Sequence, residues 1–243
     1  TMEIGNAHIE SLWAKILTFE SGRDHVISVT DKDGNVHEHT MRSFAAIPGL
    51  LAEQNARPKK RTSYLRKIIV RGFDNPYDVW DIFGRSLELA PDPKADPNRA
   101  RALFTRTNDT IKTHTLDEDG SLMPEFTVNV QEYPAVVEII RLLQAHGATI
   151  LDYDPTNLPG TNFNSSGPGG GDPIVLAKFY ILLTDEDGTR HMEEVQVFSP
   201  TEDGTSSFEH KEIKARFDAQ YAVKRLTDTK GLRSFIELLL PAS

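Results

Sequence analysis

Residues 57–85 read RPKKRTSYLRKIIVRGFDNPYDVWDIFGR. The first half is basic, with Arg57, Lys59, Lys60, Arg61, Arg66, Lys67 and Arg71 and no acid among them. The second half is acidic, with Asp74, Asp78 and Asp81 leading into an apolar run. Cations suited to a polyphosphate therefore stand one short connection from carboxylates suited to a divalent metal. From Arg61 to Val70 the pattern is helical through Leu65, Ile68 and Ile69. On a 3.6-residue period Lys59, Ser63 and Lys67 fall within an arc of roughly 80°. GFDNP breaks that helix, and DVWDIFGRSLELA reads as a strand with its acids at the leading end. A charge run is usually a solvated helix face. In a chain of formal net charge -9, so concentrated a basic segment needs an explanation.

The totals bound the rest. The chain has 243 residues, enough for one large domain or two small ones, and at 38% hydrophobic and 26% charged its composition is that of an ordinary soluble protein. The absence of cysteine excludes disulfides and thiolate metal sites and fits a reducing, cytoplasmic setting. No apolar run approaches the roughly 18 residues of a membrane span, so no membrane partner is expected. A pI near 5.4 argues against general nucleic-acid binding. Thr1-Met2 reads as a remnant before a start methionine, so the chain is expected to be a piece of a longer protein.

Outward from the central stretch, residues 7–20 space Ile9, Leu12, Trp13, Ile16 and Leu17 as an amphipathic helix. HVISVT and NVHEHT flank DKDG, a β-hairpin turning on Asp33-Gly34. His37 and His39 share one strand face with no third ligand in view, and so read as exposed strand histidines. Residues 42–55 read as a second helix, and the polar segment at about 90–130 as an insertion holding a short helix and a hairpin. Residues 133–147 form a helix opened by Tyr133-Pro134 and closed by Gly147, followed by a strand at ATILDYD. The glycine-rich loop at 159–172 lacks a phosphate-binding fingerprint. IVLAKFYILLT and RHMEEVQVFS are strands, and EHKEIKARFDAQYAVKRL and GLRSFIELLL are helices. Strand alternation places Glu194 and Gln196 on one face and Glu193 on the other.

Four motifs in order carry a family resemblance. RPKKRTSYLRKI resembles the R-P-K-x-x-x-S-x-x-x-K signature of RelA/SpoT alarmone synthetases, matching at Arg57, Lys59, Ser63 and Lys67. DIFG resembles their D-I-x-G strand, EVQV their E-I-Q-I strand, and Glu209-His210 the E-H pair that opens the following helix. The expected fold is α+β, a mixed β-sheet flanked by helices in the nucleotidyltransferase-like synthetase arrangement. The expected division is an N-terminal helix and hairpin extension at 1–44, a synthetase domain at 45–226 and a C-terminal helix at 227–243.

The resemblance implies transfer of the β,γ-diphosphate of ATP to a ribose 3′-hydroxyl, with Mg²⁺. It gives Arg57 and Lys59 the ATP phosphates, joined by Ser63 and Lys67. Asp81 would hold the metal, with Asp78 as the alternative register. Glu194 would complete the metal site or activate the acceptor hydroxyl, as a catalytic residue beside Arg57 and Lys59. Lys178, Gln196 and His210 would face the acceptor. Two departures stand out. Arg85 follows Gly84 directly, one place before the family's arginine, and alternation turns it to the opposite face. On the acceptor side Ile174 and Lys178 replace the family's tyrosine and histidine, Tyr180 stands out of register, and Phe198-Ser199 replaces its R-T pair. Retained donor residues beside a changed acceptor side imply an altered acceptor, an adenosine nucleotide or a tRNA 3′ end. A conventional guanosine tetraphosphate synthetase and an inactive nucleotide-binding regulator are the alternatives. By analogy with stand-alone members, a toxin or stress-signalling role is expected, with a neutralising immunity or antitoxin protein as partner.

Overall fold

Strand order in the main sheet is β1-β2-β3-β4-β9-β8-β7. These strands are β1 (Phe19–Thr30), β2 (Val36–Phe44), β3 (Leu50–Pro58), β4 (Phe83–Pro91), β7 (Thr149–Leu151), β8 (Ala177–Thr184) and β9 (Arg190–Phe198). Only β4 and β9 run parallel; every other neighbouring pair is antiparallel. Beside the sheet stand helices α1 (Met2–Ile16), α2 (Pro97–Leu103) and α3 (Pro134–Ala145) and a separate hairpin of β5 (Thr107–Thr113) and β6 (Phe126–Glu132). The computed structural model describes residues 2–30, 34, 36–58, 64, 68, 82–153 and 177–198. The chain is thus α+β around a mixed sheet. Among the described residues no helix is long and apolar enough to cross a membrane.

The core follows from one-sided burial. Ile9, Leu12, Trp13 and Ile16 from α1 join Val136, Val137, Ile139, Ile140 and Leu143 from α3. They meet Phe83, Leu87 and Leu89 of β4, Val195 and Val197 of β9, and Phe179, Ile181 and Leu183 of β8. Helix α3 starts with Pro134 at its first position and ends at Gly147, whose φ of 92° a side chain would disfavour. There the amides of Gly147 and Ala148 donate to the carbonyls of Gln144 and Leu143 at 3.0 Å, a Schellman stop. Helix α2 is opened by Asp96, whose carboxylate accepts from the Asn98 amide at 2.9 Å.

The N-terminal hairpin forms as expected, from Thr30↔Val36 back to Phe19↔Phe44, and joins the same sheet through β2 and β3. The helix expected at residues 42–55 is not there; the chain ends β2, turns, and enters β3. Gly49 takes φ 91° in that turn. Leu50 and Ala52 then face the helix-side core, while Leu51 packs on the opposite face with Met41 and Ala90. Burial on both faces removes the polar alternation by which a strand is read. The short helix and hairpin expected at about 90–130 appear as α2 and β5–β6, and both strands expected at the C-terminal end of the sheet appear as β8 and β9.

Charge enters this core between α1 and the sheet. Arg85 of β4 has a fully buried side chain between α1 and the sheet. Its Nε donates to Glu193 Oε1 at 3.2 Å, Nη1 to Gln54 Oε1 at 2.6 Å and Nη2 to Glu10 Oε1 at 2.6 Å. The guanidinium carbon lies 4.7 Å from the centre of the Trp13 ring, and Trp13 Nε1 donates to Glu193 Oε2 at 2.5 Å. The departure at Arg85 is thereby explained in this fold: alternation turns it away from Glu194 and into an ion network that docks α1.

Burial pushes the Glu193 carboxyl up to about 7, against Arg85 and Trp13, while the charge of Glu10 adds to the rise. A glutamate in the unfolded chain titrates near 4.5. Between these values the fold holds a proton that the unfolded chain has released. The stability from this group is full below the unfolded value and is lost as pH rises to about 7. Glu193→Gln should flatten that decline in urea midpoints recorded from about pH 4.5 to about pH 8. An unchanged slope would show that Glu193 is ionised throughout.

Candidate functional site

The face of the sheet turned away from α1 and α3 carries two buried polar residues of β9. Glu194 and Gln196 lie there, while Glu193, Val195 and Val197 lie on the helix side. In register across the strands, Arg57 of β3 pairs with Gly84 of β4, Gly84 with Glu194, and Glu194 with Tyr180 of β8. One step along, Asn55, Ser86, Gln196 and Lys178 form a second line. Gly84 brings no side chain to the first line, so β4 puts nothing between the Arg57 position and Glu194.

Three donors converge on Glu194. Gln196 Nε2 donates to Oε1 at 2.6 Å, and Tyr180 Oη donates to Oε2 at 3.1 Å. Lys178 Nζ stands 2.9 Å from Oε2 and 5.6 Å from the centre of the Tyr180 ring. Glu194 is 8% and Gln196 6% exposed, so the carboxylate is nearly withdrawn from water and depends on these donors. A carboxylate oxygen with a cation beside it, on a strand flanked by two others, is arranged to hold positive charge in a fixed place.

Of the residues singled out from sequence, Glu194, Gln196 and Lys178 are brought into direct contact. Arg57 joins their line in backbone register. Lys59, Ser63, Lys67, Asp78, Asp81 and His210 lie outside the described residues. Tyr180, read as out of register, stands directly opposite Glu194 and bonds it. The signal was available: Tyr180 is two residues from Lys178, hence on the same face of one strand.

The histidine reading is corrected. His39 is buried, not exposed, with Nδ1 3.5 Å from Glu88 Oε2. Glu53 also offers a ligand atom, and the three potential ligand atoms lie within 4.8 Å of one another. The partners come from β3 and β4, so only strand pairing supplies them. On the helix side, Glu132 and Tyr153 form another buried pair, with Tyr153 Oη donating to Glu132 Oε2 at 2.5 Å. Burial raises the Glu132 carboxyl, opposed by its bonds from Tyr153 and the Tyr133 amide and by Arg106. An open cleft of about 520 Å³ beside α2 is lined by Pro91, Asp92, Arg101 and Phe104 among others, and by none of the sequence-selected residues.

No family model matches this chain, and no curated protein matches it.

The donors around Glu194 make a coupled set. Lys178→Met should cost about 1.5–3 kcal/mol, the range for a bond to a charged group, because a withdrawn carboxylate keeps only neutral donors. Adding Glu194→Gln should recover most of that loss in urea unfolding, and simple additivity of the two changes would refute the coupling.

Proposed function

We propose that this protein is an ATP- and Mg²⁺-dependent pyrophosphotransferase that moves the β,γ-diphosphate of ATP to a ribose 3′-hydroxyl. The observation that carries the reading is the cross-strand line Arg57–Gly84–Glu194, which draws one residue from each of three separated motifs into adjacent strands. Phosphoryl-type transfer depends on fixing and neutralising charge at the transferring group, and a line from the Arg57 position to a held carboxylate suits that demand. Mg²⁺ takes carboxylate and phosphate oxygens and would neutralise the polyphosphate. Glu194 fits such an ion in chemistry, since its Oε2 already has the Lys178 cation at 2.9 Å. Lys178 keeps its expected acceptor-side role. Glu194 is assigned to the metal or to the acceptor hydroxyl, Gln196 to its orientation, and Arg57, Lys59, Ser63, Lys67 and Asp81 keep their expected donor-side roles.

The changed acceptor side supports an adenosine nucleotide or a tRNA 3′ end. Tyr180 favours a second reading, a guanosine tetraphosphate synthetase, because its ring shares the Glu194 face and could stack on a base. A toxin or stress-signalling role, with a neutralising partner protein, belongs to the same proposal.

Incubation with γ-labelled ATP, Mg²⁺ and, separately, ADP, AMP, tRNA, GDP and GTP tests both. The expected outcome is labelled product on one of the first three and its loss in Glu194→Ala. Dominance of GDP or GTP, reduced in Tyr180→Leu, would select the second reading. Absence of product with every acceptor would overturn both.

A further inference from the structure

On the helix side of the sheet, three side chains of metal-ligating type meet where α1 passes the turn between β8 and β9. His8 stands on α1, Asp185 directly follows β8, and His191 lies near the start of β9. The Asp185 carboxylate sits between the two imidazoles. His191 Nε2 is 2.7 Å from Oδ2, and His8 Nδ1 contacts Oδ1. The three ligand atoms lie within 4.8 Å of one another, with the imidazole centres 5.7 Å apart. His191 shares its strand face with Glu193, opposite Glu194, and lies about 10 Å along the strand from it at 3.3–3.4 Å per residue. This group is separate from the site proposed above.

Each ligand is carried by backbone that is fixed without it. The Asp185 amide donates to the Thr189 carbonyl at 2.8 Å, and Gly188 donates back to Asp185 at 2.9 Å. His191 is paired with Leu183 in the β8–β9 ladder. His8 precedes Ile9, Leu12 and Trp13, whose burial seats α1. Among the described ion pairs, those of Asp185 are with these two histidines. The neighbouring cation, Arg190, is directed elsewhere, donating to the Gly120 carbonyl at 2.6 Å.

Two imidazole nitrogens and one carboxylate oxygen form a donor set suited to Zn²⁺, which takes such ligands in four-coordinate geometry. Bonds of about 2.0–2.1 Å set ligand atoms roughly 3.3 Å apart, so the present group needs adjustments on the order of 1 Å. The His8 side chain is 37% exposed, which gives an ion a path in and leaves a fourth position for water. We propose that His8, Asp185 and His191 bind a zinc ion that pins α1 to the β8–β9 turn.

The test is calorimetric titration of the whole, metal-stripped chain with Zn²⁺, and of the same protein with Co²⁺ followed by visible d–d absorption. One ion per chain is expected, with a Co²⁺ spectrum of four-coordinate type and a raised melting temperature with Zn²⁺. His8→Ala, at a partly exposed helix position, and Asp185→Asn should each weaken binding by at least about tenfold, since loss of a ligand exceeds loss of an outer partner. Absence of binding by the parent chain would overturn the proposal. So would unchanged affinity in either variant, including the case where Glu88→Gln removes binding and assigns the ion to His39, Glu53 and Glu88.

Discussion

A guanidinium with no exposure to water lies between α1 and the sheet, and the fold is built around satisfying it. Arg85 finds Glu193 on the neighbouring strand, Gln54 on the strand at its other side, and Glu10 on the helix above. Three elements must therefore meet at fixed spacing, because an isolated buried charge costs several kcal/mol. Trp13 closes the arrangement, giving its ring to Arg85 and its indole N–H to Glu193. The parallel pairing of β4 with β9 is bound to this network, since Arg85 and Glu193 come from those two strands.

Fixing that pairing decides the opposite face as well. Side chains alternate, so the register that buries Arg85 and Glu193 among the helices sets Glu194 and Gln196 beside Gly84 and Ser86 on the other side. A slip of one residue would exchange the two carboxylates and destroy both arrangements. Adjacent residues of one dipeptide thus serve opposite ends: Glu193 holds α1 to the sheet, and Glu194 gathers Lys178, Tyr180 and Gln196.

Local pattern was readable where one face is buried and the other is not. Helix α3, with apolar residues at 3.6 spacing between Tyr133-Pro134 and Gly147, follows directly from that rule, as do α1 and the first hairpin. The rule failed at residues 42–55, where Leu50, Leu51 and Ala52 are buried on both sides of β3 and the apolar run imitates a helix. It failed at His39 for a related reason, since Glu53 and Glu88 arrive from other strands and no spacing within β2 announces them.

From the sequence alone came the α+β class, most strand and helix positions among the described residues, the opposed faces of Glu193 and Glu194, and the singling out of Lys178, Glu194 and Gln196. The elements and the opposed faces rest on periodicity and side-chain parity, which are local properties of the chain, while the choice of Lys178 rests on the family resemblance. Other partners had to come from the tertiary structure: Glu10 and Gln54 for Arg85, and His8 for Asp185 and His191. Each of these contacts depends on which elements lie side by side. That choice is made by the summed burial of the helix-side core and by the need of Arg85 for carboxylates, neither of which a window of sequence contains.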